Sequence, residues 1–86
     1  MKSVVSIIIG KRVRKIRISQ GKSMTTLANE SDMEYVQLSR IELGQINTTI
    51  FQLYKISQSL GIKLEDFFNN IDDEIHQELI SSSKKI

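Results

Sequence analysis

The 86 residues of this chain include no cysteine, no proline and no tryptophan, and His76 is the sole histidine. Without cysteine there is neither a disulfide framework nor a thiolate zinc site. One histidine cannot assemble a metal centre, and no glycine-rich loop is placed to cradle phosphates. The acid pairs Glu65-Asp66 and Asp72-Asp73 are adjacent in sequence, so they point to different sides and suit helix starts better than a catalytic dyad. These absences predict a protein that is not an enzyme and holds no cofactor, metal or small-molecule ligand. Long apolar runs are missing as well. Val4 to Ile9 falls far short of the ~20 residues of a membrane span, and it lacks the small-residue cleavage site of a signal peptide. The expected location is cytoplasmic.

Acids are missing from the front of the chain. Up to Lys22 it carries Lys2, Lys11, Arg12, Arg14, Lys15, Arg17 and Lys22 and no Asp or Glu. From Glu65 to Glu78 the balance reverses, with six acids and no Lys or Arg. A net charge of only +2 therefore hides a polar molecule whose basic end can face phosphates. The other reading of each charged run is a solvated helix face. With 40% hydrophobic and 26% charged residues, the composition is that of one small globular domain with a single modest core.

Periodicity is helical nearly throughout, with no sustained alternation of period two. Ile9, Val13 and Ile16 predict a first helix from Ile8 or Ile9 to Gln20. Val4 to Ile9 itself is β-branched and reads as either a short strand or an early helical turn. Ser23 is an N-cap for a second helix over Met24–Glu30, and a third covers Tyr35 to Leu43. Thr49-Ile50-Phe51-Gln52 has capping-box form and opens a fourth helix to Ser59 or Leu60, burying Leu53, Ile56 and Leu60. A fifth spans about Leu64 to Asn69 and inserts Leu64, Phe67 and Phe68. Ile71, Ile75 and Leu79 outline a sixth. The expected organisation is an apolar arm over 1–8, a helical domain over 9–69 and a C-terminal helix or tail over 70–86.

The stretch from Ser23 to Leu43 is the most telling. Two helices too short to hold themselves in water meet at a polar corner, Asn29 to Glu34, and Gly44 closes the unit. Such a pair locks into a wedge that pushes its second helix outward, the arrangement that enters the DNA major groove.

The wider pattern resembles the phage-repressor and Cro-type helix-turn-helix family, the xenobiotic-response-element-like group. The matching pieces are Ile9-Gly10…Val13-Arg14…Ile16-Arg17, Gly21-Lys22-Ser23…Leu27-Ala28 and Leu38-Ser39-Arg40-Ile41-Glu42-x-Gly44. They continue through Asn47-x-Thr49-Ile50…Leu53…Ile56…Leu60-Gly61-Ile62…Leu64…Phe67, covering about 60 of the 86 residues. The resemblance implies an all-α, compact five-helix repressor-like domain, here with a possible extra C-terminal helix. It also implies sequence-specific binding of double-stranded DNA by a homodimer, and an internal ion pair between Arg17 and Glu42. Four positions depart from the family pattern. Met24 replaces a frequent phosphate-binding glutamine, Asp32 the corner glycine, Glu34 the serine or threonine cap, and Thr48 a frequent proline.

With Leu38 and Ile41 inward, Tyr35, Val36, Gln37 and Arg40 are the base-reading candidates. Arg40 suits guanine O6 and N7, Gln37 suits adenine, and Val36 suits a thymine methyl. The bland alternatives are a solvated arginine, an exposed aliphatic and a tyrosine packed over the corner; Glu34 reads as a helix start or a cytosine acceptor. Backbone contacts fall to Ser23, Met24 and Thr25 at a helix start, to Asn47 and Thr48 before the fourth helix, and to Lys11, Arg14 and Lys22. Contact between copies is expected from Val4, Val5, Ile7 and Ile8 or from Ile75, Leu79 and Ile80; the other reading of each set is that it folds back on its own core. The competing function is a protein-interaction module or antitoxin of the same fold with weakened DNA binding.

Overall fold

Ser3 accepts a hydrogen bond from the Ser6 amide through its hydroxyl, and with that cap the first helix, α1, begins at Val4 and runs to Ser19. The structure, a computed structural model, describes residues 3–83, with side chains as far as residue 81. The helix starts earlier than the expected Ile8 or Ile9, and of the two readings of Val4 to Ile9 it is the early helical turn that forms. A serine cap and burial of Ile8 outweigh the β-branched run, which becomes the first turns of α1. The remaining elements are α2 (Met24–Glu30), α3 (Tyr35–Glu42), α4 (Ile50–Leu60), a 3₁₀ turn (Leu64–Phe68) and α5 (Ile71–Ser83). The fifth expected helix is thus a tight 3₁₀ segment, and the sixth is a full α-helix. No strand occurs among the described residues.

The core gathers residues from every segment up to the 3₁₀ turn. Ile9 and Val13 of α1 meet Leu27 and Ala28 of α2, Leu38 and Ile41 of α3, Leu53, Ile56 and Leu60 of α4, and Phe67. The apolar positions assigned from spacing in α3 and α4 are all buried. α1 is the hub, packing on α3, α4, the 3₁₀ turn and α5.

Close approach of α1 and α3 depends on Gly10. A Cβ built there would lie 2.3 Å from the Ile41 carbonyl oxygen and 2.6 Å from that of Glu42, both fixed backbone atoms. Asp32 supplies the corner between α2 and α3 with φ 53, a left-handed conformation that aspartate tolerates better than most residues. The corner therefore forms without its usual glycine.

Candidate nucleic-acid interface

α3 is held from behind and bare in front. Leu38, Ile41 and Glu42 are buried, whereas Tyr35, Val36 and Leu43 are 52%, 57% and 51% exposed and Arg40 is exposed as well. For an eight-residue helix this is a large outward-facing surface. It persists because the inward side is fixed at both ends of the element.

At the C-terminal end the fixing is ionic. Arg17 Nε donates to Glu42 Oε2 at 2.7 Å and Arg17 Nη2 to Glu42 Oε1 at 3.0 Å, a fork-to-fork pair. The third guanidinium nitrogen, Nη1, donates to the Lys22 carbonyl at 2.9 Å. Both residues are buried, so neither is offered to a ligand. The hydrogen bond to Glu42 holds the Arg17 pKa above its ordinary value, outweighing the opposing effect of burial.

At the N-terminal end the fixing is polar. Glu34 occupies the cap position with extended backbone but makes no side-chain cap bond, leaving its carboxylate exposed beside the outer face. Gln37 is half-buried and donates through Nε2 to Gln52 Oε1 of α4 at 2.8 Å. Thr49 caps α4 by accepting from the Gln52 amide, as the Thr-x-x-Gln pattern predicts. The reciprocal half of that capping box is absent, because the Gln52 side chain is turned toward Gln37 and Thr48.

Glu34, Val36, Gln37 and Arg40 line one hollow together with Ile46. Tyr35 lies on the adjoining side with Met33 and Asn29. The four base-reading candidates thus share one surface.

The backbone candidates divide. Ser23 caps α2 by accepting from the Thr26 amide, Thr25 is exposed, and Met24 is half-buried against the core. Asn47 is exposed and Thr48 half-buried, with Asn47 Oδ1 accepting from Ser6 Oγ at 2.7 Å. Arg14 is exposed and borders a hollow with Met24, Ser39 and Leu43 on the flank of α3, and Lys11 is exposed on α1. Lys22 is different. Its Nζ donates to Glu30 Oε1 at 2.9 Å and to the Ser59 carbonyl at 2.7 Å, so the ammonium is committed inside the protein. Arg12 is likewise spent, on Glu74 at 2.6 Å and on the Phe67 carbonyl at 2.9 Å.

The family described as helix-turn-helix matches residues 13–67, more than half of the sequence. The chain belongs to the helix-turn-helix family. It is a DNA-binding transcriptional regulator and not an enzyme. Among similar proteins, control protein C.BamHI of Bacillus amyloliquefaciens is 33% identical over 70 residues, which make up 80% of this chain and 86% of that protein. Control protein C.MunI of Mycoplasma sp is 35% identical over 75 residues, 81% of this chain and 96% of that one. In structure, the restriction-modification controller protein C.AhdI from Aeromonas hydrophila superposes with a TM-score of 0.71 at 27% identity, covering 72% of this chain and 94% of that one.

In this helix-turn-helix protein two structural features escaped sequence reading. Gln52 was absorbed by its capping pattern, although its side chain serves α3. Ile50 and Phe51, 69% and 67% exposed, carry no periodic signal that separates a bare apolar surface from a core-facing one. Among the described residues there is no cluster that could hold a metal ion and no helix long and apolar enough to cross a membrane.

Proposed function

We propose that this regulator is a cytoplasmic controller-type protein that reads a two-fold-related operator through the outer face of α3. The observation that carries the reading is the convergence of exposed Val36 and Arg40 with half-buried Gln37 on one hollow, beside exposed Tyr35. Arg40 reads guanine with two donors, Gln37 reads adenine, and Val36 packs on a thymine methyl. Ser23, Met24 and Thr25 at the start of α2, Asn47 and Thr48 before α4, and Lys11 and Arg14 on α1 supply the phosphate contacts. Lys22 is left out of that set because its charge is already paired. The likeness to restriction-modification controller proteins supports a role as the controller of such a system.

A single module buries only about 600–1,000 Å² on DNA, which favours two copies with recognition helices about 34 Å apart. The face proposed for that contact is the apolar groove of Val5, Ile46, Ile50 and Phe68. Ile8 is withdrawn from the expected contact set because it is buried within the monomer.

Selection of bound sequences from a random duplex pool tests the reading. Arg40→Ala is expected to relax preference at one guanine position by about 1–3 kcal/mol while the protein stays folded. Enrichment of the same sequence by the variant, or no duplex binding by the wild type at low salt, would overturn it.

A further inference from the structure

We infer that Gln52 is a positioning residue that makes Gln37 select adenine over guanine; the inference rests on the base-reading role proposed for α3. A glutamine carboxamide is a two-fold rotor, and turning it by half a revolution exchanges its donor and its acceptor. Left free, it can turn either its oxygen beside one N–H or both N–H groups toward a base edge, so it accepts adenine or guanine and selects weakly. Gln37 is not free. Its Nε2 donates to Gln52 Oε1 at 2.8 Å, and Thr48 Oγ1 approaches the same oxygen at 3.4 Å. With Gln52 Oε1 as the acceptor, one N–H of Gln37 is committed to α4 and is not offered to a base.

Gln37 then has one N–H and its Oε1 remaining, a single donor and a single acceptor in set order. Adenine presents the complement in the major groove, an N6 donor beside the N7 acceptor. Guanine presents two acceptors, N7 and O6, and the held oxygen would face one of them. The environment fits this task. Gln37 lines the outer hollow with Val36 and Arg40, and it also lines the adjoining hollow beside Tyr35, which it shares with Gln52. Gln52 forgoes the return bond of its own capping box to make this contact.

The experiment compares wild type, Gln52→Leu, Gln52→Glu and Gln37→Ala, each checked for folding by circular dichroism. The readout is the adenine-over-guanine affinity ratio at the selected position. Gln52→Leu is expected to reduce that ratio about fivefold, the scale of one neutral hydrogen bond, with the salt dependence unchanged. Gln52→Glu still accepts from Gln37 and should keep the ratio while lowering affinity for every duplex. In the Gln37→Ala background, Gln52→Leu should change nothing further. An unchanged ratio in Gln52→Leu, or an equal change in the Gln37→Ala background, overturns the inference and leaves DNA reading by α3 intact. Absence of any duplex binding by the wild type is the separate failure of that underlying reading and removes the inference with it. A readout without DNA is the ¹⁵N relaxation of the Gln37 side-chain amide in the free protein. It should be rigid in the wild type and mobile in Gln52→Leu; mobility in the wild type matching exposed Gln58 overturns the inference.

Discussion

Arg17 and Glu42 illustrate how one residue pair sets the pose of an entire helix. The pair is buried and fully hydrogen-bonded, so removing one member leaves an uncompensated charge inside the protein, at a cost of about 3–5 kcal/mol. Glu42→Ala should therefore lower the thermal midpoint by well over 10 °C, against little change for exposed Arg40→Ala, given ~4–8 °C per kcal/mol in a domain of this size. Comparable midpoints in calorimetry would contradict this. Because the folded Arg17 pKa is raised, its stabilising share is complete below the unfolded value and is lost only as pH climbs through the still higher folded one. The pair should thus show no arginine-linked loss of stability across ordinary pH. Gly10 gives the second residue-scale prediction. Alanine normally stabilises a helix interior by roughly 1 kcal/mol over glycine, but here the added methyl would strike the α3 backbone. Gly10→Ala is expected to destabilise by about 1–3 kcal/mol, the scale of overpacking, as measured by urea denaturation.

At the scale of elements, the 3₁₀ turn and α5 are held very differently. Phe67 of the 3₁₀ turn is fully buried, so Phe67→Ala should cost about 3–5 kcal/mol. α5 lies outside the main core and is tied to α1 through Arg12 and Glu74, with Glu74 partly exposed. Glu74→Ala should change global stability by no more than about 1 kcal/mol. Its effect should appear instead as faster amide hydrogen exchange confined to α5, since weakly packed elements open locally before the domain unfolds. Exchange that rises equally in α3 would show that α5 is part of the cooperative core.

At the scale of the whole molecule, the proposed operator binding depends on charge distribution and on pairing of copies. Binding should fall with a log–log salt slope near −0.9 per neutralised phosphate, and Arg14→Ala should reduce that slope by about one. Ile50→Glu, in the exposed groove, should shift the sedimenting species from dimer to monomer and weaken operator binding without altering circular dichroism. An unchanged mass would move the contact elsewhere. Helix positions and the buried faces of α3 and α4 were legible in the chain because each is a local matter of spacing and caps. The start of α1 was not legible, because Val4 to Ile9 favours no conformation strongly until Ile8 has a core to enter. Nor was the fate of Lys22, whose partners Glu30 and Ser59 lie on other helices.

Taken alone, the order of residues determined an all-helical chain, an outward second helix at a polar corner, and the residue types available to meet bases. Those properties follow from short-range periodicity, capping and conformational preference. Only the packed molecule decided which lysines and arginines keep their charge for a partner, how far α1 reaches, and that the Gln52 side chain serves α3 rather than its own helix. Each of these turns on atoms distant in sequence competing for one hydrogen-bonding group, and that competition has an outcome only once the helices are placed.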